Sequence, residues 1–523
     1  MAEADFERYA LVGRTIEYHR GTNTPSSDFE QGSIERQAEP QGGRMTEKFS
    51  RRALLGGGSA AAVAATVGWS SDRSTDRRPG EAESQAQNAR RKLIKGGYVL
   101  TMDSQLGDLP TGDVLIDRDR IVAVAPRITA QQAGDAARID ATGMIVMPGL
   151  IDNHRHMWQS VIRGVAANLT FGEYFGTVIF GISPRLTPDD VQLGNLLSAY
   201  ESLESGITTT LDWSHGTNTH AHALAAIEGL RASGARAVFA YGSPAAASGP
   251  DIPPTPDDVR DAFEVLADEP LVDLAIASGS PEESDAGRVA RNIELARELG
   301  VGVTMHSLGG PAGSAPQLLE AAGLLGDDIT FIHNNLFTQA DFELIAQRGA
   351  HVSSSPEVEM QMGLGPAPLG LMLAAGARPT VSVDVVPAVA GELFTPLRFI
   401  LQTERMIAQQ QAAEAGMPLT SLPITTRDVL PYATTNAAAS LGMADRIGSL
   451  TPGKQADVIL VNALALNTFL AEPSAALVQF AHPGNVDTVL VAGRVVKRGG
   501  RLVGVDLGPL RRQAKEANQR LLA

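Results

Sequence analysis

The sequence predicts an α/β fold, a (β/α)8 barrel with a small β-sandwich domain built from segments flanking the barrel. Three observations predict it. Eight short apolar runs alternate with helical patterns through the middle of the chain, as parallel strands with crossover helices require. Two β-type segments on either side of that stretch share one texture, short strands between Gly and Asp turns. Histidines and an aspartate fall at the ends of several of the eight runs, which a closed barrel gathers at one mouth.

The elements follow in order. Residues 1–91 are read as a disordered extension, an export-type signal and a linker. Residues 1–44 are polar without a hydrophobic period. Arg51-Arg52 precede a mildly apolar Gly/Ala-rich stretch to Trp69, which resembles a twin-arginine signal. It is too short and too weakly apolar to span a bilayer. Met45 is read as the true start and Ala62-Val63-Ala64 as the place before cleavage. The expected location is extracellular or periplasmic, with the twin-arginine machinery as a partner; without a working signal the chain stays in the cytoplasm. Residues 92–144 and 446–505 are read as one composite β domain. Residues 145–445 are read as the barrel, and 506–523 as a C-terminal helix.

Composition narrows the function. The chain has 523 residues, 43% hydrophobic and 20% charged, an ordinary globular balance. Its net charge of -16 offers no Lys/Arg excess to neutralise phosphates, so nucleic acid is not an expected partner. It has no cysteine, which excludes disulfides, thiolate metal ligands and a cysteine nucleophile. A small-molecule substrate is expected, no stable membrane insertion, and homo-oligomerisation is compatible with the composition.

The strand candidates are Ile145–Ile151, Thr208–Trp213, Ala237–Tyr241, Val272–Ala277, Val301–His306, Ile329–His333, Ala350–Ser354 and Thr380–Asp384. Val289–Leu299 and Ala340–Gln347 are among the helical patterns between them. Asp152-Asn153-His154-Arg155-His156 closes the first run. Alternation along a strand puts His154 and His156 on one side and Arg155 on the other. His306, His333 and Asp384 close the fifth, sixth and eighth runs. His154, His156, His306 and Asp384 are the expected ligands of one divalent metal, Zn2+ foremost, with Fe, Mn or Co as alternatives. A metal lowers the pKa of its water to about 7. Asp384 is then the expected proton acceptor, and His333 the group that orients the nucleophile or polarises the substrate. Taken singly, each residue has an ordinary reading as a structural histidine or a turn aspartate. Five at four strand ends carry the weight.

Pro148-Gly149-Leu150-Ile151-Asp152-x-His154-x-His156, with His306, His333 and Asp384, resembles the signature of the amidohydrolase superfamily. Pro452-Gly453-Lys454-Gln455-Ala456-Asp457 resembles that family's return to its small β domain. The nearest branch is the cytosine-deaminase and atrazine-chlorohydrolase-like group. The resemblance implies metal-hydroxide attack on an sp² carbon and cleavage of a C–N bond in a small cyclic or amide-like molecule. One alternative is an aminoheterocycle deaminase releasing ammonia. Another is a noncatalytic small-molecule-binding protein on a decayed scaffold. Binuclear relatives bridge two metals through a lysine on the fourth strand; no Lys occurs between Lys95 and Lys454, so one metal is expected. Glu282 and Glu283 are expected to face solvent. Deaminases of the branch carry a Glu three residues after the fifth-strand His, and here Gly309 stands there. Glu357 and Glu359, after the seventh strand, are candidates for the missing acid. Trp158, Phe171, Tyr174 and Phe175 can wall a flat substrate or pack their loop against the barrel. His215 is a further candidate for substrate contact, whereas His220 and His222 belong to a helix.

Overall fold

The computed structural model describes residues 89–523, apart from 245–253, 283, 311–312 and 470. The expected extension, the twin-arginine signal and most of the linker lie outside the described residues, as does Glu283.

Five strands come first: β1 (Arg91–Val99), β2 (Leu109–Asp117), β3 (Arg120–Ala125), β4 (Ala137–Asp140) and β5 (Met144–Pro148). The barrel strands are β6 (Leu150–Arg155), β7 (Ile207–Ser214), β8 (Arg236–Gly242), β9 (Val272–Ser278), β10 (Gly302–Ser307), β11 (Ile329–His333), β12 (His351–Ser354) and β13 (Pro379–Val381). Then come β14 (Val458–Asn462), β15 (Val486–Val491), β16 (Arg494–Arg498) and β17 (Arg501–Leu502). Strands β6 to β13 pair in parallel in sequence order as an eight-stranded sheet. The flanking segments hydrogen-bond into one nine-stranded sheet, joined where β14 lies antiparallel to β5. Its two halves share one apolar core that includes Ile94, Val114, Val146, Val458 and Leu490.

One expected strand is two. Residues 145–151 were expected to enter the barrel as a unit, but Met144–Pro148 belongs to the small sheet and only Leu150 onward belongs to the barrel. The barrel boundary therefore moves from 145 to about 149. Gly149 makes the passage: a Cβ there would sit 2.1 Å from Thr208 Oγ1, so only glycine lets the chain cross this close to β7. As a result Asp152–Arg155 lie within β6, not after it.

Alternation along the strands separates two cores. Ile151, Leu211, Trp213, Val238, Ala240, Ala275 and Ala277 point inward and meet Ala437, Ala438 and Met443 of the segment after the barrel. The other faces pack on the surrounding helices in the largest core cluster. Each such Leu, Ile or Val contributes about 1.5–3 kcal/mol by leaving water. The ring closes through Asp384. Its N–H donates to His154 O at 3.0 Å, and His156 N–H donates to Asp384 O at 3.0 Å. Closure and the first candidate ligands are thus the same few residues. The C-terminal helix, Leu507–Leu522, lies on Pro188–Glu204, with Arg520 paired to Asp190.

Candidate metal centre

The polar ends of β6, β10, β11 and β13 converge. His154 Nε2 lies 3.2 Å from Asp384 Oδ1, and His156 Nε2 lies 3.3 Å from the same oxygen. His306 Nε2 is 3.3 Å from His154 Nε2. His333 Nε2 stands farther off, 3.9 Å from Asp384 Oδ2. Two overlapping triads share His154: His154/His156/Asp384 and His154/His306/His333.

These spacings fit a tetrahedral ion. Ligand atoms 2.0–2.1 Å from Zn2+ lie about 3.3–3.4 Å apart. Burial pushes the pKa of His154 and His306 well below the usual histidine value, and lowers that of His156. Neutral imidazole is the form that binds metal. His156 Nδ1 lies 2.8 Å from the carbonyl oxygen of Trp213. That nitrogen carries the proton, which leaves Nε2 bare toward Asp384. Burial raises the Asp384 carboxyl above its usual range, while His333 and His156 pull it down. Its ion-pair partners among the described residues are histidines only. Bare imidazole nitrogens facing each other and a carboxylate at this distance are what a cation relieves. The residues present fit a divalent metal.

Backbone strain accompanies the convergence. His333, Asn334 and Asp384 have φ of 80°, 65° and 68°, a left-handed conformation that costs about 1–3 kcal/mol per non-glycine residue and clusters at functional sites.

The remaining candidates are placed as follows. Glu359 is fully buried and holds His333: its Oε1 lies 3.2 Å from His333 Nδ1 and accepts from Ser355 N at 2.7 Å. Both carboxylate oxygens are engaged, since Oε2 accepts from Asn335 Nδ2 at 3.4 Å. Glu359 is therefore a brace for His333. Glu357 is not brought to the cluster by any contact among the described residues. Burial, with Glu392 adding repulsion, pushes its pKa up to about 7. Trp158 is fully buried, and its indole N–H donates to His215 Nδ1 at 3.0 Å. His215 stacks on His156, with ring centroids 4.0 Å apart. Phe175 packs against Phe171 and Tyr174, centroids 4.9 and 5.7 Å apart. His220 and His222 lie on the helix His220–Ser233, as expected.

One expectation is corrected, and one is refined. Glu282 does not simply face solvent. It accepts from Ser307 Oγ and from Gly309 N, clamping the loop after β10, because its own loop after β9 folds beside it. Arg155 does point away from the cluster, but into a buried pair: its Nε donates to Asp152 Oδ2 at 2.7 Å, and Asp152 Oδ1 accepts from Val383 N at 3.1 Å.

The sequence reading missed three supports. Asp212, its pKa raised to about 6 by burial, accepts from Met157 N at 3.1 Å and so anchors the residue after His156. The Trp213 carbonyl orients His156. Asn153 ties β6 to Thr380, Ser353 and Ser440. Asn153 and Asp212 were legible only as alternating polar residues on strands, and a backbone carbonyl leaves no signal at all.

The chain matches the family model described as amidohydrolase over residues 145–496. It belongs to the amidohydrolase family. It is 32% identical to a 5-methylthioadenosine/S-adenosylhomocysteine deaminase of Desulforudis audaxviator, over 83% of this chain and 99% of that one. It is 28% identical to a 5'-deoxyadenosine deaminase of Methanosarcina mazei, over 82% and 98%. Among solved structures, an adenosine deaminase from Xanthomonas campestris with bound zinc superposes with a TM-score of 0.71 at 25% identity, over 82% and 98%. This amidohydrolase is an amidohydrolase-type, metal-dependent hydrolase of C–N bonds. Its converging His/Asp cluster leaves the decayed-scaffold alternative without support.

Proposed function

We propose that the amidohydrolase removes the amino group of an aminated nitrogen heterocycle as ammonia, within the cytosine-deaminase and atrazine-chlorohydrolase-like branch. The single observation that carries this reading is the convergence of His154, His156, His306 and Asp384 in a chain whose relatives, matched over nearly their full length, are named deaminases. A divalent metal, Zn2+ foremost, would supply Lewis acidity and a water of pKa about 7 when bound.

The chain's own residues do the rest. Asp384 is positioned to take the proton of the attacking water. His333, held through Nδ1 by Glu359, keeps Nε2 3.9 Å from Asp384 Oδ2. The proton passes from Asp384 through His333 to the leaving nitrogen. Burial of His154, His156 and Asp384 keeps bulk water from competing.

A second reading, hydrolysis of a cyclic amide or urea, is favoured by Gly309. Its φ is 79°, and a Cβ built there would lie 2.8 Å from Phe337 Cδ1. No acid fits where deaminases of this branch carry one, so a substrate needing no proton on a ring nitrogen is the easier one. A panel of aminated heterocycles, cyclic amides and ureas, with metal analysis and separate assay of ammonia and ring-opened products, separates the two. Ring opening without ammonia would sink the deaminase reading.

We extend the proposal to export by the twin-arginine route, supported by Arg51-Arg52 before the Gly/Ala stretch. Lysine at both positions is expected to hold the protein in the cytoplasm. N-terminal sequencing of exported protein is expected to start after Ala64, and unprocessed exported protein would contradict this.

A further inference from the structure

We infer that His215 is a specificity-determining hydrogen-bond donor, locked by Trp158 as the Nε2–H tautomer and reserved for an acceptor lone pair on the substrate heterocycle. The inference rests on the C–N hydrolase reading and adds a residue and a ligand chemistry to it.

The lock follows from donor inventory. An indole Nε1–H can only donate, and a neutral imidazole has one donor and one acceptor nitrogen. Trp158 Nε1 lies 3.0 Å from His215 Nδ1. Nδ1 must therefore be the acceptor, and the ring's one proton sits on Nε2. Trp158 is held for this role: it is fully buried on the turn directly after His156. The His215 ring has little freedom to turn, with its face against His156 at 4.0 Å and 23° and the edge of Trp213 at 5.6 Å.

The locked donor has no internal partner among the described residues. Among the described residues no protein group accepts from His215 Nε2, and that atom is absent from the sealed, unpartnered side-chain atoms of the interior. It therefore keeps some exposure, on a ring stacked against His156. A histidine set to donate, stacked on a candidate ligand at the end of β7, is matched by a ring nitrogen or a carbonyl oxygen. It is mismatched by a C–H or N–H at the same place, because the Nε2–H would then be left unpaired. With position 309 unable to carry a side chain, the second strand contributes a polar contact that the fifth does not.

Two measurements test this. The first is the tautomer: 15N-histidine NMR of the metal-loaded full chain, with the His215 signal assigned by its loss in His215→Gln. The expected spectrum shows a protonated Nε2 and a bare Nδ1 in the wild type, and tautomer mixing in Trp158→Phe. A protonated Nδ1 in the wild type would overturn the lock. The second uses a turned-over substrate and analogues in which each acceptor is replaced singly by C–H. One analogue should lose about 10-fold in kcat/KM, mainly through KM, with wild type. The same analogue should be indistinguishable from its parent with His215→Leu, while His215→Gln, which keeps an N–H donor, retains part of the preference. A ring-nitrogen acceptor and a carbonyl acceptor are separated by which analogue responds. Unchanged discrimination in His215→Leu would overturn the assignment even if the variant is slow, because the comparison is made within one protein. Wild type inactive on every panel substrate would instead defeat the hydrolase reading, and the NMR result would stand apart from it.

Discussion

A buried ion pair at the N-terminal pole of the barrel contrasts with the Asp384 cluster at the C-terminal pole. At the N-terminal pole a buried arginine has its opposite charge. Arg236, fully buried at the start of β8, clasps Asp457 at 2.8 and 3.2 Å, and the half-buried Arg446 meets Asp273 at 3.2 Å beside a cavity of about 650 Å3. At the C-terminal pole, next to the buried Arg155–Asp152 pair, the Asp384 carboxylate faces imidazoles, and burial lowers the pKa of His154 and His156. The first arrangement is complete as it stands and joins the barrel to the small sheet. The second sets Asp384 among histidines with no Lys or Arg paired to it among the described residues, an arrangement that a divalent metal would complete.

The contrast can be broken most severely at Asp384. Asp384→Asn is expected to lower kcat by about 10²–10⁴-fold with unchanged circular dichroism. Chelation should lower the melting temperature of the wild type, since metal binds the folded state, and lower that of the variant less. Near-normal turnover in Asp384→Asn would defeat the mechanism.

At the other pole, Arg236→Ala leaves Asp457 buried and unpaired. It should cost about 3–5 kcal/mol in denaturant unfolding while kcat per folded molecule is kept. A variant that is stable but inactive would show that the poles are not separate in role.

Next in size is Glu359. Its loss to alanine should lower kcat about 10–100-fold by releasing His333, whereas Glu359→Gln, still able to accept from Nδ1, should recover part. Equal losses in both variants would argue that the charge, and not the hydrogen bond, is what His333 needs.

The smallest effect is expected at Glu357. Its folded pKa of about 7 lies above the usual carboxylate value, because burial and then Glu392 disfavour the charged form. The stability this group contributes is fully present below about pH 4.5 and is lost as pH rises through 7. Glu357→Gln should therefore be more stable than wild type above pH 7, on the order of 1–2 kcal/mol after allowance for partial exposure. Thermal melts at pH 5 and pH 8 compare the two, and a gain at pH 5 equal to that at pH 8 would exclude titration as the cause.

Legibility differed residue by residue. His154 and His156 were readable because two residues on one strand share a side. His306, His333 and Asp384 were readable because each ends an apolar run. The split of residues 144–155 between two sheets was not, since an apolar run carries no mark of which neighbour it will pair with. The separate fates of Glu357 and Glu359 were also hidden: they differ by two positions in a short helix, and only its packing sends one to His333 and the other toward Glu392.

By itself the sequence determined the strand and helix alternation, the composite small domain, the candidate ligand types at strand ends and the absence of both a bridging lysine and an acid at position 309. These are properties of local periodicity and of which atoms exist. Only the tertiary structure decided that Asp384 closes the ring onto His154 and His156, that Glu359 braces His333, and that Trp158 sets the tautomer of His215. Each of these is a contact between segments far apart or on separate turns, and its geometry exists only once the barrel has closed.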